Sequence, residues 1–150
     1  MENTRKHLAI LGSTGSIGTQ ALDVIEANKD LFVVEVLTAN SNSELLIQQA
    51  LQYKPNAVVI ANESKYDEVK NALNSTDIKV YAGKESLSQV VEMDTIDVVL
   101  TALVGYSGLK PTINAIKAKK SIALANKETL VVAGSLITEL AKESGVNIYP

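Results

Sequence analysis

The stretch that most limits what this chain can fold into is the glycine-rich segment at residues 12–18, GSTGSIG, which directly follows the apolar run at 8–11. A strand that enters such a turn and opens a helix forms an anion site, because free backbone N–H groups converge in front of the positive end of the helix dipole. The spacing reads G-x-x-G-x-x-G and departs from the G-x-G-x-x-G fingerprint. Its position between a strand and a helix still predicts a pyrophosphate site. The alternative is a turn that is merely rich in Gly and Ser.

Each glycine of this segment has a physical role in that interpretation. Gly12 lets the chain turn off the strand, Gly15 removes a Cβ where phosphate oxygens come close, and Gly18 lets the helix pack tightly. The hydroxyl groups between them add hydrogen-bond donors. The segment is therefore expected to hold its ligand mainly through the backbone.

The rest of the chain alternates apolar runs with segments of helical period. The alternation predicts strands near residues 8–11, 32–37, 57–60, 78–81, 96–102, 121–125 and 146–149, with helices between them. Alternating strands and helices imply right-handed crossovers. We therefore predict an α/β fold, a Rossmann-like doubly wound, mostly parallel sheet with helices on both faces. Its ligand site would lie at the carboxyl ends of the strands.

Several helix ends are also predicted from local sequence signals. Ser41 and Glu44 have the spacing of a capping box for the second helix, which Pro55 would stop. The third helix is predicted over 64–73. Pro111 suits the first turn of a later helix, and the last helix should run over 127–144 with Gly145 as its cap.

Composition excludes several functional classes. With 150 residues, 46% of them hydrophobic, the chain is long enough for one domain. A net charge of −3 without a basic block argues against nucleic acid as a partner, and the lack of cysteine excludes disulfides and thiolate sites. The single histidine, His7, is expected to be a surface strand residue and not a ligand. Without an apolar run of membrane length, we expect a cytoplasmic protein with no membrane partner.

The end of the second strand bears on the choice of cofactor. NAD-binding units place an Asp or Glu there, roughly 20 residues beyond the glycines, to bind the ribose 2′-OH. This chain has Asn40, Ser41 and Asn42 instead. Amide and hydroxyl donors at a helix start suit a 2′-phosphate, which a carboxylate would repel. We predict NADPH over NADH, while noting that Ser41 and Asn42 could also serve as helix caps.

Three motifs together resemble the 1-deoxy-D-xylulose 5-phosphate reductoisomerase family. They are the glycine-rich segment, TALVGYSGL at residues 101–109, and above all ANKE at 125–128. The resemblance covers residues 1–150 as the family's N-terminal NADPH-binding Rossmann domain. It implies an oxidoreductase of non-mevalonate isoprenoid biosynthesis, which rearranges 1-deoxy-D-xylulose 5-phosphate and reduces the product with NADPH to 2-C-methyl-D-erythritol 4-phosphate.

The resemblance also implies roles for individual residues. The pyrophosphate would be held by Thr14, Gly15, Ser16 and Ile17, and the 2′-phosphate by Asn40, Ser41 and Asn42. Asn126 and Glu128 would contact the cofactor near its nicotinamide, and Lys127 would reach the phosphorylated sugar substrate. From the residues alone, 126–128 would be an ordinary helix start. Many family members carry Gly-Lys-Asn in place of Asn40-Ser41-Asn42, so a weaker preference for NADPH is expected here.

The family's remaining parts are expected outside these residues. The resemblance implies a divalent metal, Mg or Mn, bound by an acidic motif after Pro150, and a homodimer formed by a later domain. The metal-binding catalytic domain and the C-terminal domain would be absent from this chain. Residues 1–150 would then contain no metal ligand and no complete catalytic set, and would bind cofactor without turnover.

Two other functions are compatible with parts of the sequence. Tyr66 and Lys70 have the Tyr-x-x-x-Lys spacing of short-chain dehydrogenases, another NADP-dependent class, but they follow the third strand and are better explained as a core tyrosine and a solvated lysine. A non-catalytic NAD(P)-sensing module is the other alternative. It would have no use for a lysine directed at a substrate, so the ANKE motif argues against it.

Overall fold

The computed structural model describes residues 5–103, 108–124 and 127–149, and for 127–134 it describes the backbone only. Within these ranges strands and helices alternate. The strands are β1 (Lys6–Leu11), β2 (Phe32–Ala39), β3 (Ala57–Ile60), β4 (Lys79–Ala82), β5 (Val98–Thr101), β6 (Ser121–Leu124) and β7 (Ile148–Tyr149). The helices are α1 (Ser16–Ala27), α2 (Ser43–Tyr53), α3 (Tyr66–Ala72), α4 (Lys84–Val90), α5 (Leu109–Lys117) and α6 (Lys127–Ser144).

The seven strands form one sheet in the order β4-β3-β2-β1-β5-β6-β7. Every neighbouring pair is parallel. The strand order reverses at β1, which lies between β2 and β5. The connections that follow β1 and β5 therefore run in opposite directions, and a crevice opens between them at the carboxyl ends of the strands. The predicted doubly wound α/β fold is confirmed.

The sheet is buried by a separate apolar cluster on each face. One cluster joins the sheet to α1, α2 and α3 through Leu22, Leu46 and Val69. The other joins it to α4, α5 and α6 through Val90, Ile116 and Ile137. β1 supplies both clusters, because its alternate residues point to opposite faces. None of the helices in the described ranges is long and apolar enough to cross a membrane.

The pairing of β1 with β2 contains a register shift. Leu8 pairs with Val34 and the next residue, Ala9, pairs with Val36, which leaves Glu35 as an extra residue in β2. Val34 and Val36 consequently belong to different apolar clusters although they are two positions apart. This arrangement is a β-bulge, which changes the phase of the strand's alternation.

The side chain of Glu35 is directed to His7 on β1. Glu35 is 9% exposed, and its Oε1 lies 2.6 Å from the Nδ1 of His7, whose side chain is 38% exposed. The backbone N–H of His7 donates to the Oδ2 of Asp97 at 2.9 Å. His7 therefore lies on the partly exposed amino end of β1, opposite the carboxyl edge of the sheet.

Several helix ends follow the sequence signals, and two do not. α6 spans 127–144 as predicted, with Gly145 at a φ of +68°, and Pro111 lies in the first turn of α5. The third helix is shorter than predicted, because a 3₁₀ turn at Glu63–Lys65 precedes α3.

The capping box predicted at Ser41 and Glu44 is wrong. α2 begins one residue later, where the Oδ1 of Asn42 accepts a hydrogen bond from the N–H of Leu45 at 3.2 Å. Asn and Ser are comparable N-caps. The Ser41 hydroxyl instead accepts from the Nδ2 of Asn62 at 3.2 Å, so a tertiary contact decides which residue caps α2.

Candidate functional site

The glycine-rich turn connects β1 to α1 at the point where the strand order reverses. Gly12 has a φ of +86°, and a Cβ there would lie 3.0 Å from the carbonyl oxygen of Ala102, which follows β5. A Cβ on Gly18 would lie 2.1 Å from the carbonyl oxygen of Gly12 and 2.7 Å from the Cα of Ser13. The first turn of α1 therefore packs directly against the turn that precedes it.

The amino end of α1 offers backbone donors to solvent. Gly15 is the N-cap and provides no side-chain cap, and no acceptor within the described ranges pairs with the N–H groups of Ser16 and Ile17. Gly15, Ser16 and Ile17 are exposed. A Cβ on Gly15 would come no closer than 3.7 Å to any atom outside its neighbours, so the space in front of it is open. Free N–H groups at a helix start with room above them form a site for an anion.

A buried hydrogen-bond network holds the turn from below. Thr38 of β2 accepts from the N–H of Gly12 through its Oγ1 at 3.0 Å and from the N–H of Ser13 through its carbonyl at 2.8 Å. The Ser13 hydroxyl lies 2.7 Å from the Oε1 of Gln49 in α2 and 3.1 Å from the Thr38 carbonyl. The Nε2 of Gln49 donates back to the Ser13 carbonyl at 2.9 Å. The conformation of the turn is thus fixed before any ligand binds.

Gln49 is a residue that the sequence analysis missed. The sequence places it on the same face of α2 as Leu46 and Ala50, both of which are fully buried, and Gln49 itself is 6% exposed. A buried glutamine needs hydrogen-bond partners, because an unpaired amide in an apolar interior is unfavourable. Its place on an apolar face was the available signal.

The loop after β2 lies next to the turn and is fastened by Asn62. Asn40, Ser41 and Asn42 are exposed. The Asn40 carbonyl accepts from the N–H of Asn62 at 2.8 Å, and Asn62 also contacts the Ser41 hydroxyl. The Oδ1 of Asn42 is occupied as the cap of α2. These residues are therefore brought to the carboxyl edge beside the glycine-rich turn, where the sequence predicted them.

A cavity of about 660 Å³ extends from this loop toward α4 and α5, and we refer to it as the β2–α4 cavity. Thr38 and Asn40 line one side of it, so it adjoins the glycine-rich turn. Its other side is formed by the beginnings of α4 and α5 and by Leu103; the polar residues of that side are Lys84, Glu85, Ser88 and Lys110. The sequence analysis did not identify these polar residues.

The other predicted contacts were assigned to the residues at the start of α6. α6 begins at Lys127, directly after β6. β6 pairs with β5, and β5 pairs with β1. Asn126 lies outside the described residues, as do the loop at 104–107 and the side chains of Lys127 and Glu128. Their predicted roles stay predictions.

The Tyr66 and Lys70 pair is not at the crevice. Both lie on α3, which packs beside β4 at the far edge of the sheet. Tyr66 is half-buried against the apolar cluster and Lys70 is exposed. Among the described residues, no three His, Cys, Asp or Glu side chains are grouped so that they could hold a metal ion.

Comparisons with known proteins agree on one family. The sequence model of 1-deoxy-D-xylulose 5-phosphate reductoisomerase matches residues 8–134. The reductoisomerase of Bacteroides thetaiotaomicron is 61% identical over 149 residues, which cover 99% of this chain. The Zymomonas mobilis reductoisomerase, solved in complex with NADPH, is 39% identical, with a TM-score of 0.91 over 97% of this chain and 38% of its own. A reductoisomerase solved with NADPH, fosmidomycin and magnesium is 34% identical, with a TM-score of 0.90 over 95% of this chain and 35% of its own.

The similarity covers only part of these relatives. The chain spans 38% of the length of the Bacteroides protein. A biliverdin reductase, solved with NADP+ and biliverdin, shares the fold with a TM-score of 0.63 at 16% identity.

Proposed function

The chain belongs to the 1-deoxy-D-xylulose 5-phosphate reductoisomerase family, and from that membership we propose that residues 1–150 bind NADPH along the carboxyl edge of the sheet. The observation that carries the proposal is the uncapped amino end of α1, whose free N–H groups lie behind a glycine with open space above it. A pyrophosphate at Thr14, Gly15, Ser16 and Ile17 would be held by backbone donors and by the dipole of α1.

The two halves of the cofactor extend from that point in opposite directions. On the β2 side, Asn40, Ser41 and Asn42 would surround the adenosine 2′-phosphate. On the β5–β6 side, Asn126 and Glu128 would contact the cofactor near its nicotinamide. A reduced nicotinamide placed there supplies a hydride to the substrate.

The activity of the whole protein follows as part of the proposal. It would rearrange 1-deoxy-D-xylulose 5-phosphate and reduce the resulting aldehyde to 2-C-methyl-D-erythritol 4-phosphate. Lys127 would contact this phosphorylated sugar, where its ammonium group would stabilise negative charge on a substrate oxygen. A divalent metal such as Mg would polarise the substrate carbonyl. No group of three His, Cys, Asp or Glu side chains that could hold the ion occurs among the described residues.

The remaining properties are proposed from family membership alone. The whole protein would be a cytoplasmic homodimer. Residues 1–150 by themselves would bind NADPH but would not oxidise it when substrate and magnesium are added. NADPH oxidation under those conditions would contradict this part of the proposal.

A direct titration tests the binding site. The 150-residue chain is titrated with NADPH and with NADH, and nicotinamide fluorescence is followed at one fixed salt concentration. We expect NADPH to bind more tightly, because the loop after β2 presents amide and hydroxyl groups and no carboxylate to the 2′-position. Equal affinities would contradict the selectivity, and the absence of binding to either nucleotide would contradict the site.

Substitution of Gly15 by alanine should weaken binding without unfolding the protein. The added Cβ meets nothing within 3.7 Å in the free protein, so the cost to stability is limited to the poorer capping by alanine, about 1 kcal/mol. The Cβ would occupy the space that phosphate oxygens need. Loss of one charged hydrogen bond is about 1.5–3 kcal/mol, so the Kd for NADPH should rise about 10- to 100-fold. Fluorescence titration and thermal unfolding measure the two effects.

Gly145→Ala is the matched control for Gly15→Ala. Gly145 has a φ of +68° with nothing within 4 Å of its Cβ position, so alanine there strains the backbone by roughly 1 kcal/mol. Stability should fall while NADPH affinity stays unchanged. A Gly15→Ala protein that binds NADPH as tightly as the wild type would show that phosphate does not approach this residue.

A further inference from the structure

We propose that Lys84 and Lys110, on the α4 and α5 side of the β2–α4 cavity, are the cations that hold the 2′-phosphate and so determine the preference for NADPH. The inference rests on the proposed function, because it specifies how the same site recognises its cofactor. It concerns residues to which neither the motifs nor the fold assigns a role. Four observations support it.

The first observation is the position of the cavity. Thr38 lines it and also accepts hydrogen bonds from Gly12 and Ser13. A dinucleotide whose pyrophosphate lies on the glycine-rich turn places its adenosine on the β2 side of the crevice. Asn40, at the end of β2, lines the cavity as well. The adenosine half of the cofactor would therefore lie at this cavity, with its 2′-phosphate within reach of the residues that line it.

The second observation is that the loop after β2 carries no cation. Asn40, Ser41 and Asn42 are uncharged, and Asn42 already uses its Oδ1 to cap α2. A 2′-phosphate brings up to two negative charges, and the strongest partners for phosphate oxygens are charged donors. The formal charges near the cavity come from α4 and α5 instead.

The third observation concerns those charges. Lys84 forms no ion pair with any residue in the described ranges. Lys110 contacts Glu85 at 3.4 Å, but the two side chains are 64% and 74% exposed, so their attraction is weak. Two lysines and one glutamate give this side of the cavity a net charge of +1. A phosphate is a better partner for Lys110 than the solvated carboxylate of Glu85, because it is more highly charged.

The fourth observation is a buried hydroxyl without a partner. Ser88 lines the cavity and is only 3% exposed, yet its hydroxyl group makes no hydrogen bond to any described residue. Buried polar groups are nearly always paired in native proteins. A polar ligand in the cavity would supply the missing partner, and adenosine carries suitable donors and acceptors.

The test compares the Kd for NADPH with that for NADH at low and constant salt. For both Lys84→Gln and Lys110→Gln, the Kd for NADPH should rise about two- to fivefold, the effect of one partly solvated ion pair, while the Kd for NADH stays unchanged. Glu85→Gln should act in the opposite direction and lower the Kd for NADPH about twofold. Lys79→Gln is the control, since Lys79 is also exposed but lies at the amino end of β4 and does not line the cavity. It should change neither constant.

The outcomes separate this inference from the proposed function. If the wild-type protein prefers NADPH and neither lysine variant changes that preference, the inference is wrong and the proposed function stands. If Glu85→Gln weakens NADPH binding, the inference is also wrong. If the wild-type protein binds neither nucleotide, the proposed function fails and the inference fails with it. A higher Kd for NADPH in the two lysine variants and a lower one in the glutamate variant, with no change in the Kd for NADH, would support the inference.

Discussion

Gly18→Ala should be the most damaging single methyl addition in the described part of the site. Its Cβ would lie 2.1 Å from the Gly12 carbonyl oxygen and 2.7 Å from the Ser13 Cα. Both contacts are with backbone, which cannot rotate away, so α1 must move off the turn that it packs against. Such overpacking destabilises by about 1–3 kcal/mol or more. We expect a loss of at least about 3 kcal/mol in the free energy of unfolding, measured by urea denaturation, together with loss of NADPH binding.

Gly15→Ala serves as the comparison for this prediction. The two glycines are three residues apart at the same end of α1, and each variant adds one methyl group. The Gly18 variant should lose far more stability, because only at Gly18 does the added Cβ meet backbone atoms already in place. Gly15→Ala should lose about 1 kcal/mol, through poorer capping of α1. A Gly18→Ala protein within about 1 kcal/mol of the wild type would mean that α1 is not held tightly against the turn.

Gln49→Met should destabilise the protein and also weaken cofactor binding. Methionine preserves the volume of the side chain but leaves the carbonyl oxygen of Ser13 without its amide donor. The Ser13 hydroxyl loses the Gln49 acceptor and keeps the Thr38 carbonyl. A buried polar group left unpaired costs about 1–3 kcal/mol, so we expect the free energy of unfolding to fall by about that amount. Without these hydrogen bonds the glycine-rich turn would no longer hold its N–H groups in position for the pyrophosphate. The Kd for NADPH should therefore rise even where the variant remains folded.

Gln48→Met is the control for this variant. Gln48 precedes Gln49 on α2 and is exposed, and substitutions at such positions usually change stability by less than about 0.5 kcal/mol. Urea denaturation and NADPH titration of both variants measure the difference. If the two variants unfold at the same urea concentration, the network below the turn does not contribute to stability.

The parts of the structure that were predictable from sequence are those set by local pattern. The alternation of apolar runs and helical periods predicted the doubly wound sheet. Gly145 marked the end of α6, because helices often end in a residue with left-handed backbone angles and glycine adopts these most easily. Local signals also located the glycine-rich turn and the loop after β2.

What could not be predicted depends on contacts between distant residues. Ser41 and Asn42 are equally good caps in isolation, and the contact with Asn62 decides between them. Lys84 and Ser88 enter the site only because the strand order brings α4 next to the end of β2. A β-bulge such as the one at Glu35 cannot be recognised from the sequence of β2 alone, because it is defined by the pairing with β1.

The extra residue Glu35 also bears on how β2 could pair with β1 in the wrong register. A one-residue slip of one strand against its neighbour turns every side chain to the opposite face. If β2 paired with β1 without the bulge, Val36 and the residues after it would exchange faces. Glu35 would then pair within the strand and lose its contact with His7. Its carboxylate would lie in an apolar layer, where a charge without a partner is strongly unfavourable. We therefore expect Glu35 to disfavour the misaligned sheet, because the slip would cost it the contact with His7 and bury its carboxylate without a partner.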